Sequence, residues 1–108
     1  MDFEKLAERL GLKLDEFMEL AELFLETGMN DLEDLKTAVS DKEINAVVER
    51  SHSIKGASGN LGFNDIYEVA KRIESNARNN ILDGADAAVL EIDQYIGEIS
   101  SFVKTAAA

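Results

Sequence analysis

The chain has 108 residues, no Cys, no Pro, no Trp and a formal net charge of −11 from 22 acidic and 11 basic side chains. That length allows one domain with one core over 1–108, the missing thiols exclude disulfides and thiolate metal sites, and the acidity disfavours nucleic acid as a partner. No apolar run is long enough to span a membrane and Met1-Asp2-Phe3-Glu4 does not open like a signal peptide, so a soluble, cytoplasmic protein is expected, with no membrane partner.

Absence of Pro suits long uninterrupted helices, and the apolar residues recur at helical spacing throughout. Asp2 is placed to cap a short first helix with Phe3, Leu6, Ala7 and Leu10 as its stripe, ended by Gly11. The second helix is predicted over about 14–39, with Leu14, Phe17, Met18, Ala21, Phe24, Leu25, Leu32, Leu35 and Val39 facing the core. Its stripe runs straight through Gly28, so one helix is expected rather than two, with Gly28 its weakest point.

Ser40 or Asp41 is expected to cap the third helix, about 42–60, whose buried stripe is Ile44, Val47, Val48, Ser51, Ile54, Ser58 and Leu61. Gly62 fits the left-handed residue that ends it. Asn64 or Asp65 is expected to cap the fourth helix, about 64–80, with Ile66, Val69, Ala70, Ile73, Ala77 and Ile81 inward. After Leu82-Asp83-Gly84 the fifth helix, about 85–104, uses Ala88, Val89, Ile92, Ile96, Ile99, Phe102 and Val103. Residues 104–108 read as a small-residue tail without assigned function. Short connections between amphipathic helices predict an all-α fold: an antiparallel up-down-up-down four-helix bundle with an extra short N-terminal helix.

The chemistry concentrates on the third helix. His52 is the only histidine, and His52, Lys55, Gly56 and Gly59 fall at i, i+3, i+4 and i+7, on one strip of helix surface. Each Gly inside a helix costs about 0.8–1 kcal/mol relative to Ala, so the pair costs on the order of 2 kcal/mol. Close access to His52 by something bulky would offset that cost, and Lys55 suits an approaching negative charge. His52 itself falls on the flank of the buried stripe, where a ring is supported on one side and open on the other.

The string His52-Ser53-Ile54-Lys55-Gly56-Ala57-Ser58-Gly59-Asn60-Leu61-Gly62 resembles the signature of the histidine-containing phosphotransfer (HPt) domains of multistep two-component phosphorelays. The likeness extends over nearly the whole chain in helix order and spacing. It implies that His52 accepts a phosphoryl group and that Lys55 stabilises its charge, with Gly56 and Gly59 leaving room for a partner. The partners implied are receiver domains of response regulators and a hybrid sensor histidine kinase. The receiver would bring Mg²⁺, and this chain, acting as a monomer, would need no cofactor or metal of its own. The resemblance also suggests a second polar layer from the fourth helix, for which Glu74 and Arg78 are the fitting positions. In several family members the first of these is an amide; here it is acidic. Arg78 can act as a second cation or simply pair with Glu74 at i,i+4.

Two other readings compete. Glu49-x-x-His52 is half of the motif that carboxylate-bridged di-iron bundles use, but a single histidine cannot supply the second half. A non-catalytic helical adaptor or scaffold would use the same helices, though it has no need of Lys55 and Gly56 beside His52. A self-contained ATP-using kinase is excluded by size and by the absence of a strand-borne phosphate loop.

Overall fold

Helical periodicity along the chain becomes five helices in the computed structural model, which describes residues 2–107. They are α1 Phe3–Arg9, α2 Leu14–Ser40, α3 Ile44–Leu61, α4 Asn64–Arg78 and α5 Ala85–Ala107, and no strand occurs among the described residues. The Asp2 carboxylate accepts a bond from the Lys5 N–H at 3.1 Å, capping α1 as its sequence suggests. Helix α2 continues unbroken through Gly28, where the Phe24 ring lies against the bare backbone at the distance an added Cβ would meet at 3.7 Å.

Four helices end in the same way. After α1, α2, α3 and α4 a residue adopts left-handed backbone: Gly11 (φ 71°), Lys42 (φ 57°), Gly62 (φ 80°) and Asn80 (φ 59°). In each case the following N–H reaches back to a carbonyl five residues earlier: Leu12 to Ala7, Glu43 to Ala38, Phe63 to Ser58 and Ile81 to Asn76, all within 2.9–3.0 Å. This is the Schellman arrangement, which satisfies carbonyls that a helix end leaves orphaned.

The same geometry corrects several expected boundaries. Ser40 is the last residue of α2 and Asp41 closes its final turn, so neither caps α3; that helix starts at Ile44 behind Glu43, with no side-chain cap. Asn64 is already inside α4, behind Phe63, and does not cap it, nor does Asp65. Helix α4 stops at Arg78 because Asn80 turns left-handed, which leaves Ile81 outside the helix and exposed. Leu14 is exposed rather than in the stripe of α2. Helix α5 runs past the expected end at about 104 to Ala107, so the small-residue tail extends the helix as far as Ala107; Ala108 lies outside the described residues.

The helices α2, α3, α4 and α5 form a closed ring of neighbours, each packed on the next and α5 on α2, while α1 lies against α2. Inside are Phe17, Leu35, Val47, Ile54, Ile66, Ile92, Ile96 and Ile99, all essentially without solvent contact. Their sequestration from water is the main force holding the helices together. At one end all five Phe rings meet: Phe3 contacts Phe17, Phe63 and Phe102, and Phe63 also contacts Phe17 and Phe24. At the other end, Ser40 in the last turn of α2, Lys42 just beyond it, and Leu82, Asp83 and Gly84 before α5 line a cavity of about 600 Å³. No helix among the described residues is long and apolar enough to cross a membrane.

Candidate functional site

Helix α3 presents three different surfaces. Val47, Ser51, Ile54, Ser58 and Leu61 are buried. The two serines place their hydroxyls on the carbonyls of Val47 (2.6 Å) and Ile54 (2.7 Å), so no polar atom of either is stranded in the core. One flank is tied to α2: Asp31 accepts from Ser53 at 2.8 Å and from Arg50 at 3.4 Å. The other flank carries His52 and faces α4.

Along α3 from His52 to Gly59, the nearest α4 side chain moves back from Glu74 to Tyr67, so these two helices run in opposite directions. That register brings Glu74 under His52. The Glu74 side chain is only 6% exposed, whereas that of His52 is 62% exposed. Nδ1 of His52 lies 3.0 Å from Glu74 Oε2. Lys55 Nζ lies 2.7 Å from the other oxygen, Oε1, which has no better-aligned hydrogen-bond donor and is held by the ammonium charge. Arg78, one turn further along α4, donates to Oε2 through both Nη2 (2.7 Å) and Nε (3.1 Å).

One buried carboxylate therefore collects three basic groups. Burial alone would raise the Glu74 carboxyl, but Lys55, Arg78 and His52 together reverse that and hold it down at about 2. At neutral pH Glu74 is then ionised and accepts only, so Nδ1 of His52 must be the donor. The proton on Nδ1 leaves the lone pair on Nε2, the nitrogen on the far side of the ring, and no hydrogen bond occupies Nε2 among the described residues. Counting Glu74, Lys55 and Arg78 with a neutral ring, the cluster is net positive within a strongly acidic chain.

The two glycines of the strip separate. A Cβ added at Gly56 would meet nothing within 4 Å, so the backbone beside His52 is open. A Cβ at Gly59 would come within 3.1 Å of the Tyr67 ring, so this glycine also lets that ring of α4 pack closely against α3. Gly62 takes the left-handed turn expected of it, and its missing side chain also makes room for Leu6. Arg78 adopts the i,i+4 pairing with Glu74. Glu49 joins no group of three His, Asp or Glu side chains able to hold a metal among the described residues.

The family resemblance offered Glu74 only as one of two fitting positions for a second layer. Its position as the hub depends on the register between α3 and α4, and the available signal was its place next to Ile73, on the edge of the buried stripe of α4. Residues 19–102, from early in α2 to near the end of α5, match the family model described as the Hpt domain. No curated protein and no solved structure gives a significant match.

Proposed function

The chain belongs to the Hpt domain family, whose role is histidine phosphotransfer in phosphorelays with receiver domains and kinases, and on that footing we propose that it carries the phosphoryl group on Nε2 of His52. The observation that supports this most directly is how the ring is held: on a side chain that is 62% exposed, Nδ1 is engaged by a buried carboxylate, which leaves Nε2 for a partner, and the backbone one turn on at Gly56 is open.

The donor is a receiver domain whose aspartate carries an acyl phosphate. The Nε2 lone pair attacks phosphorus, the N–P bond forms, and the acyl P–O bond breaks with its electrons left on the aspartate carboxylate. Such transfer asks for position and charge neutralisation more than for covalent work. Lys55 has a long flexible stem and a compact charge, and it lies on the same side as the ring, 2.7 Å from Glu74. It exchanges this contact for the incoming phosphoryl oxygens. The receiver brings the Mg²⁺, and the reverse sequence delivers the group to a second receiver aspartate. The chain works as a monomer in the cytoplasm.

Incubation with a phosphorylated receiver domain should label the chain, and the label should be acid-labile and base-stable. His52→Gln should abolish labelling while leaving helicity unchanged. Labelling that survives in this variant would remove His52 as the acceptor, and an unlabelled wild-type chain would favour the adaptor reading.

A further inference from the structure

Resting on the phosphotransfer reading above, we propose that Glu74 is a positioning residue that keeps the proton on Nδ1 of His52 through the whole cycle, so that the ring takes up and gives away its phosphoryl group without releasing a proton. The geometry is the contact of 3.0 Å between Nδ1 and a carboxylate oxygen whose side chain is 6% exposed. Buried charge-assisted hydrogen bonds of this kind are among the stronger ones available to a side chain.

The chemistry gives the proton its importance. When Nε2 attacks phosphorus with its lone pair, the product ring carries both the phosphoryl group and the Nδ1 proton, and is cationic. If that proton is lost to water, the ring can later leave phosphorus only as an imidazolate, a strongly basic and poor leaving group. If the proton stays, the N–P electrons return to Nε2 and the ring leaves as neutral imidazole. A carboxylate fixed under Nδ1 favours the second course in both directions.

The surrounding charges agree. A phosphoryl group brings about −1.5 to −2 charges. On α3 it meets Lys55, with Glu49 exposed one turn back; on α4 it meets Arg78. On α2, Asp31, the acid bonded to the neighbouring Ser53, is already engaged by Ser53 and Arg50. Lys55 and Arg78 together offset the phosphoryl group, which leaves Glu74 to balance the cationic ring. With an amide in place of Glu74 the same cluster would carry one surplus positive charge, and the Nδ1 proton would be shed at lower pH.

Because His52 is the only histidine, ring-nitrogen NMR of the full chain labelled in histidine reads this site alone. The chain is phosphorylated with phosphoramidate, and the Nδ1 titration is followed in the wild type, in Glu74→Gln and in Glu74→Asp. Loss of the proton should occur about one pH unit higher in the phosphorylated wild type than in Glu74→Gln, a tenfold difference in proton affinity. Glu74→Asp should recover part of it. The hydrolysis rate of the phosphorylated wild type should stay flat to correspondingly higher pH. As a reference that does not depend on any variant folding, the wild-type midpoint should also exceed that of the same phosphoprotein unfolded in urea. Equal midpoints in wild type and Glu74→Gln, or in folded and unfolded wild type, overturn the proposal. Failure of His52 to accept phosphate from phosphoramidate or from a receiver overturns the phosphotransfer reading, and this proposal with it.

Discussion

Replacing Gly56 separates the cost of the open backbone from its purpose. Gly56 is interior to α3, its backbone needs no positive φ, and an added Cβ would touch nothing. Gly56→Ala should therefore recover the full helix-propensity difference, about 0.5–1 kcal/mol, which raises Tm by about 2–8 °C in a domain of this size. Gly59→Ala is the control. It offers the same propensity gain, but its Cβ would press on the Tyr67 ring at 3.1 Å. The ring must shift by a few tenths of an ångström, and the net gain should fall to about zero. Gly56→Met should be stabilising like Gly56→Ala, yet place a long side chain where a partner approaches His52. Transfer from a phosphorylated receiver should slow by about tenfold or more, equivalent to about 1.4 kcal/mol. Thermal unfolding followed by circular dichroism, with single-turnover transfer on the same samples, reads both effects. Equal stabilisation at the two glycines would refute the packing of Tyr67 on Gly59. Undiminished transfer by Gly56→Met would refute the access role of Gly56.

Acid stability should report Glu74: its carboxyl is lowered from 4.5 to about 2 in the folded chain, so the unfolded chain binds that proton first as pH falls. The contribution, at most roughly 3 kcal/mol, is complete above pH 4.5 and is lost between there and about 2, and Glu74→Gln should flatten this limb of a urea-denaturation profile. Lys55→Ala removes the strongest of the favourable partners of Glu74; it should shift acid unfolding to higher pH and slow phosphoryl transfer, while the helical spectrum at neutral pH is unchanged. Gly62→Ala forces a side chain into left-handed backbone at φ 80° and to within 3.1 Å of Leu6. It should cost roughly 1–2 kcal/mol in urea denaturation, and an unchanged midpoint would contradict the Schellman turn after α3.

The helices were legible because one apolar stripe per helix is a local property, and stripes survive translation into packing at Phe17, Ile54, Ile73 and Ile92. Helix ends were legible only where the residue itself advertises left-handed backbone. Gly11 and Gly62 do so. Asn80 could have been read that way, since Asn tolerates this conformation better than most residues, and it would have ended α4 at its true place. Lys42 carries no such mark, although its φ is 57°. Tertiary register was the other blind spot. Spacing put His52 and Lys55 on one face but could not show that an acid from another helix lies beneath both. Nor could it show that the Tyr67 ring lies beside Gly59. Each of these facts concerns two helices at once, and neither sequence segment contains it alone.

The gathering of every phenylalanine at one end makes the two halves of the molecule mechanically unequal. That end ties α1, the start of α2, the α3–α4 turn and the last turns of α5 through a single aromatic knot. The opposite end reverses direction at Lys42 and Asn80 and encloses open volume. Fluctuations should start at the slack end, so amides around 40–44 and 78–86 should exchange with solvent sooner than those around 17–24 and 61–66. His52 stands between them, fastened to the firm half through α3, so breathing at the far turns need not disturb the ring's aim.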